Sequence, residues 1–247
     1  MCHDLDSSPP AAPAVTGGVA EHGPLEIGVA DGNRFLAYRA AAEVPNGNNV
    51  LLMPDVRGFH PFYARLAHRF AEAGFHTQVM DYYGRSAGIA PRDEAFDRYA
   101  HMALLEPQHV ELDASTAAET IRGWRPGPLF SVGFCLGGGY SWRLASAGLG
   151  LAGAVGFYGP PRFVGDRAGH PSAPLLMLLA GDDVATTPEE YATLTGEFDR
   201  AGTPYEKHVY AGAPHSFFDD SYEQWQDACT DAWHRILAFT SHHGVTQ

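Results

Sequence analysis

Gly133-Phe134-Cys135-Leu136-Gly137-Gly138 is the stretch from which the fold of this chain is read. The apolar run Pro128-Leu129-Phe130-Ser131-Val132 precedes it, and a helix-compatible segment, Tyr140 to Ala147, follows. A nucleophile flanked by small residues, set between a strand and a helix, is the sequence form of a nucleophile elbow. The turn strains the backbone and lifts one side chain out of the top of a sheet. Glycines are needed around it because a β-carbon would clash with the tightly returning helix. The lifted residue here is a cysteine in place of the commoner serine.

On both sides of the elbow, apolar strand-like runs alternate with segments of helical periodicity. Leu25–Val29 and Arg34–Arg39 read as a hairpin around Asp31-Gly32-Asn33. Val50–Met53 and Phe75–Met80 are short buried strands, with Phe62, Leu66, Phe70 and Ala73 at helical spacing between them. Residues 85–107 are irregular and polar-aromatic, suited to a cap over a site. Val110, Ala114, Ala117, Ala118, Ile121 and Trp124 form an apolar helix face ahead of the elbow strand. Ala152–Tyr158, Pro174–Ala180 and Tyr205–Tyr210 are further strands, and a last helix carries Trp225, Cys229, Ala232, Ile236 and Phe239. This alternation predicts an α/β fold, a mostly parallel central sheet with helices on both faces. A single domain is expected over residues 25–247. The first 24 residues, rich in Pro, Ala, Gly and Ser, read as a disordered or extended tail.

The formal net charge of −13 argues against nucleic acid, whose phosphates require clustered Lys and Arg. It equally disfavours an anionic membrane surface, and no apolar run reaches the length of a membrane span. Cys2, Cys135 and Cys229 have no regular spacing, so they do not form a disulfide framework. Residues 1–24 lack an apolar secretory core. A reducing, cytoplasmic setting is therefore expected, in which Cys135 stays a thiol. No His/Cys/Asp spacing points to a metal, and no cofactor is called for. Either a monomer or a homodimer is compatible with these features.

Acyl transfer by a cysteine needs a base for its proton, an orienter for that base, and N–H donors for the oxyanion. In α/β hydrolases the order along the chain is nucleophile, acid, histidine. This chain offers Cys135, then Gly181-Asp182-Asp183 after one strand, then Ala213-Pro214-His215-Ser216-Phe217 after the next. Each candidate falls in a loop beyond a strand's C-terminal end, where open α/β sheets collect their sites. Asp182 and Asp183 both remain open as the acid on spacing alone.

Taken together, three segments resemble the dienelactone hydrolase family of α/β hydrolases: Gly133–Gly138, Ala180-Gly181-Asp182-Asp183, and Tyr210–Phe217. Met53-Pro54-Asp55-Val56-Arg57-Gly58 and Asp81-Tyr82-Tyr83-Gly84-Arg85 extend the likeness over residues 25–240. The resemblance implies Asp183 as the acid, and the backbone N–H groups of Leu136 and Val56 as the oxyanion hole. It implies Asp55 as the counterpart of a glutamate that gates the cysteine thiol in the family. Asp219 stands where the family's prototype has a substrate-gripping arginine, four residues after the histidine. An acid there should repel a dienelactone carboxylate, so the expected substrate is a different ester, lactone or thioester.

Around this centre, Tyr158 and Phe217 are the expected walls of an aromatic pocket, together with Tyr83. Arg57 or Arg85 is expected to meet a polar group of the substrate. Two other functions fit the same residues: a non-hydrolytic cyclase or isomerase working in a dry pocket, and a ligand-binding protein whose triad is silent.

Overall fold

The computed structural model describes residues 7–90, 92, 93 and 95–244. The N-terminal hairpin pairs β1 (Val19–Gly28) with β2 (Arg34–Ala42) in antiparallel register, and Asp31 Oδ1 accepts the Asn33 N–H at 3.1 Å in its turn. The fully buried β3 (Asn49–Met53) leads into α1 (Pro61–Glu72). This helix begins where it does because Pro61 presets φ at the first turn and His60 Nδ1 caps the Phe62 N–H at 3.2 Å.

Next come β4 (His76–Met80), two short helices α2 (Gly84–Ala87) and α3 (Arg98–Met102), and the long α4 (Pro107–Trp124). Strand β5 (Leu129–Phe134) then delivers the chain into α5 (Leu136–Leu144). The remainder is β6 (Gly153–Phe157), β7 (Leu175–Asp182), α6 (Pro188–Ala201), β8 (Tyr205–Pro214) and α7 (Gln226–His243). A capping box between Thr187 and Glu190 opens α6, and Gly202 in the left-handed region closes it.

The eight strands lie in the order β1-β2-β4-β3-β5-β6-β7-β8. Pairings β1–β2 and β2–β4 are antiparallel and all others parallel, so the sheet is mostly parallel. Its two faces bury separate cores. Phe62, Leu66, Phe70, Trp233 and Ile236 from α1 and α7 fill one. Ala114, Ile121, Trp142, Leu194 and Phe198 from α4, α5 and α6 fill the other. Burial on both faces explains why the inner strands read as continuous apolar runs rather than alternating ones.

From Ser7 on, the N-terminal segment expected as a disordered or extended tail is packed on the domain. Strand β1 begins at Val19, and Ser7, Pro9, Pro10 and Ala12 are buried. Trp233 Nε1 holds the Pro10 carbonyl oxygen at 3.1 Å, and Arg65 Nη2 holds that of Ser7 at 2.7 Å. Proline costs the unfolded chain entropy and needs few partners, so a Pro-rich composition does not preclude an ordered strap. The residues before Ser7 lie outside those described. In the expected cap region, α2 and α3 are regular, and Asp97 caps the Ala100 N–H at 3.1 Å.

Candidate active site

Cys135 sits between β5 and α5 with φ 52° and ψ −118°, a conformation that L-residues rarely adopt. Close packing around the turn holds it there. A β-carbon on Gly133 would strike the Gly137 carbonyl, and one on Gly137 would strike the carbonyl oxygens of Met53 and Pro54. The start of α5 therefore lies directly against the β3–α1 loop. The Cys135 N–H donates to the Phe157 carbonyl at 3.0 Å, and the side chain is half-buried.

His215 follows the last residue of β8. Its Nδ1 lies 2.9 Å from both carboxylate oxygens of Asp183, which stands just past the end of β7. Both side chains are nearly sealed, 3% and 2% exposed. Asp183 Oδ1 also accepts the Ala185 N–H at 2.7 Å, which orients the carboxylate. Asp182 is exposed and pairs in register with Pro214. Tyr158, another non-glycine at positive φ (36°), lays its ring 4.8 Å from that of His215. Because Phe157 carries the carbonyl that holds Cys135, the Phe157–Tyr158 pair links the histidine and the cysteine.

The loop Pro54–Arg57 is clamped by three tyrosine hydroxyls. Tyr82 donates to the Pro54 carbonyl at 2.8 Å and Tyr83 to the Val56 carbonyl at 2.7 Å. Tyr63 accepts the Asp55 N–H at 2.8 Å. The Arg57 N–H is engaged by Asp55 Oδ1 at 2.8 Å. Met53 and Pro54 of this segment lie against Gly137 in the first turn of α5, where the N–H of Leu136 has no intrahelical partner. A buried ion pair fixes the same loop from behind: Asp81 Oδ1 accepts the Phe59 N–H at 3.0 Å, and Asp81 Oδ2 takes Arg92 Nη2 at 2.6 Å.

Several expected substrate contacts are placed differently. Arg57 is engaged by Asp55 through Nε and Nη2 at 2.8–3.1 Å and lies over the rings of Phe62 and Tyr63; its side chain is 5% exposed. The same pair occupies the Asp55 carboxylate, which was expected to gate the thiol. Arg85 is bound by Asp113 at 2.6 Å and by Asp31 at 2.6 Å. It lines a cavity of about 390 Å³ with Ser86, Leu104, Leu105, His109 and Asp113, and that lining contains no residue of the candidate triad. Tyr83 and Phe217 are fully buried packing residues, and so is Tyr158, which supports His215 rather than forming an open wall. Asp219 is 1% exposed and turned inward, so it does not face a substrate carboxylate.

Other neighbours of the site carry no sequence signal of their own. Tyr63 and Tyr82 reveal their hold on the β3–α1 loop only once α1 and β4 are in place. Tyr191 on α6 is buried, and its phenol is pushed well above its usual range by burial and then by the charges of Asp183 and Cys135, so it stays protonated.

A mostly parallel eight-stranded sheet, with a residue held at positive φ at the head of the helix after β5, is the architecture of the α/β hydrolases. The sequence profile of the dienelactone hydrolase family matches residues 35–244, and the chain belongs to that family. It is 28% identical to the carboxymethylenebutenolidase of Rhodococcus opacus over 97% of this chain and 96% of that one. A relative from Saccharolobus solfataricus is 30% identical over 155 residues, 60% of this chain and 58% of the relative. Among solved structures, a dienelactone hydrolase-like promiscuous phosphotriesterase from metagenomic libraries superposes with a TM-score of 0.74. It is 20% identical, with 91% of this chain and 99% of that one covered. Among the described residues, no helix is long and apolar enough to cross a membrane.

Proposed function

We propose that this protein hydrolyses an ester, lactone or thioester through a cysteinyl thioester, with Cys135 as nucleophile, His215 as base and Asp183 as its orienter. The observation that carries the reading is the Asp183–His215 hydrogen bond, taken with a cysteine held at a positive φ on the head of α5. Asp183 accepts from Nδ1–H, and this tautomer leaves Nε2 to take the thiol proton. The resulting imidazolium and the positive end of α5 both favour the thiolate, whose free pKa is about 8.5.

The thiolate adds to the carbonyl carbon, and the C=O electron pair moves onto oxygen. Backbone N–H groups of Leu136 and Val56 receive that oxyanion; such a donor is worth about 3 kcal/mol of barrier. Collapse re-forms C=O and expels the alkoxide or thiolate, which takes the proton from His215 Nε2. His215 then removes a proton from water as the water adds to the thioester. The second collapse releases the acid and returns the Cys135 thiolate.

The charges around the site favour an uncharged substrate. Arg57 in the oxyanion loop and Arg85 after β4 are both paired with carboxylates of the fold. For Arg57 to grip a carboxylate-bearing lactone, a buried ion pair would have to break. The reading is tested by turnover of neutral aryl esters with Cys135→Ala and His215→Ala, and by mass spectrometry for an acyl group on Cys135. Wild-type turnover in either variant, or an acyl group elsewhere, would sink it.

A further inference from the structure

The N-terminal segment reaches the turn that carries His215. The Ser8 N–H donates to Asp219 Oδ1 at 3.0 Å, and the Asp220 N–H donates back to the Ser8 carbonyl at 2.7 Å. The segment is tied down further along by Arg65 at the Ser7 carbonyl, by Trp233 at that of Pro10, and by burial of Ala12. Asp219 is the knot. Its Oδ1 also accepts the Ser221 N–H at 3.0 Å, its own N–H reaches the Phe217 carbonyl at 2.8 Å, and its carbonyl receives the Tyr222 N–H at 3.2 Å.

Between this knot and His215 stands Ser216 at φ 68°, a left-handed residue that is not glycine. A turn in that conformation keeps its shape only where its surroundings over-determine it. The Asp183 bond orients the imidazole from one end; the other end of the turn is anchored through Asp219.

We propose that Asp219 is a positioning residue for His215, and that Ser7–Ala12 is the strap through which it acts. This rests on the reading of His215 as the base for Cys135. Asp219 serves as an acceptor of two N–H groups through one oxygen, a task a carboxamide oxygen can also perform. Asparagine should therefore preserve the anchor and alanine should remove it.

The test uses full-length Asp219→Ala, Asp219→Asn and Arg65→Met. Two readouts are taken: the pH profile of iodoacetamide alkylation at Cys135, read by mass spectrometry, and kcat and KM for p-nitrophenyl acetate. In the wild type, a thiolate paired with His215 alkylates with a midpoint well below about 8.5. Asp219→Ala should raise that midpoint by about one pH unit or more and lower kcat about tenfold, with KM within about twofold. Asp219→Asn should restore both, and Arg65→Met should shift both in the same direction as alanine by a smaller amount. A folded Asp219→Ala with the wild-type midpoint and kcat overturns the proposal, as does an asparagine variant as impaired as alanine. If Asp219→Ala does not fold, an unchanged profile in Arg65→Met overturns it. A wild-type midpoint at about 8.5 instead overturns the Cys135–His215 reading itself, and the strap with it.

Discussion

His215 Nδ1 lies at 2.9 Å from each carboxylate oxygen of Asp183, and the bond is shielded from solvent on both sides. A shielded carboxylate that takes Nδ1–H fixes the imidazole tautomer and leaves Nε2 as the unprotonated nitrogen. Asp183→Asn keeps the shape but lets the wrong tautomer form. The expected loss is about 10²–10⁴ in kcat with little change in KM. Asp182→Asn, whose side chain is exposed, should stay within about twofold. Steady-state kinetics on one aryl ester compares the two.

Tyr83 Oη holds the Val56 carbonyl at 2.7 Å from inside the fold. Tyr83→Phe removes the donor, leaves a buried carbonyl unpaired, and loosens the loop that presents the Val56 N–H. The expected cost is about 1–3 kcal/mol in stability. Part of it should appear as a fall in kcat/KM at unchanged substrate. Urea unfolding and kinetics on the same sample measure both; full stability and full activity together would refute the clamp.

Asp55 and Arg57 form a buried pair at 2.8 Å, with side chains 2% and 5% exposed. Asp55→Ala strands the guanidinium, and about 3–5 kcal/mol of stability should be lost. Replacing both partners, Asp55→Ala with Arg57→Met, should recover most of that loss, because no buried charge is then uncompensated. A double variant as unstable as the single one would show that the pair is not the cause.

His68 is half-buried between α1, β1 and β2, with its Nε2 at 2.8 Å from Tyr38 Oη, whose oxygen also meets His22 Nδ1 at 2.7 Å. Burial lowers its pKa, and the nearby His22 lowers it further; Glu72 opposes and Arg69 assists. The native state therefore resists the proton that the unfolded chain accepts near pH 6.5. This contribution to stability is complete above that pH and is lost as pH falls towards the lower native pKa. Thermal unfolding should show Tm dropping from pH 7.5 to 5.5, and His68→Gln should flatten the drop.

Cys229 donates to the Phe217 carbonyl at 3.4 Å, and burial raises its pKa to about 12. It stays a thiol at neutral pH. Brief iodoacetamide treatment of the native protein at pH 7.5 should label the peptide that carries Cys135 and spare the one that carries Cys229. Equal labelling would contradict the inert, packed thiol.

The elbow was legible because its cause is local. A residue that sits at φ 52° between a strand and a tightly returning helix needs small residues within a few positions, and Gly133, Gly137 and Gly138 announce it. The order Cys135, Asp183, His215 was legible for a similar reason, since each follows a strand whose apolar run marks its end. Asp183 rather than Asp182 was implied by family resemblance alone, and the distinction rests physically on one hydrogen bond across 32 residues. The partners of Arg85 were not legible, because a cation's role depends on which carboxylates fold onto it. Arg85 meets Asp31 and Asp113, 54 and 28 residues away, and nothing in its neighbourhood along the chain names them.

What the sequence by itself determined, then, is the α/β architecture and the three residues that head the candidate site. Periodicity, glycine spacing and strand ends are properties of adjacent residues. Tertiary structure alone decided that the tyrosines at 63, 82 and 83 clamp one loop, that Asp55 is occupied by Arg57, and that Asp219 turns inward to hold Ser8. The Tyr82, Tyr83 and Asp219 contacts join segments 27 to 211 residues apart, while the Tyr63 and Arg57 contacts to Asp55 close within one loop and the helix that follows it. Their energy comes from burying polar groups with matched partners, and a matched partner exists only after the chain has folded.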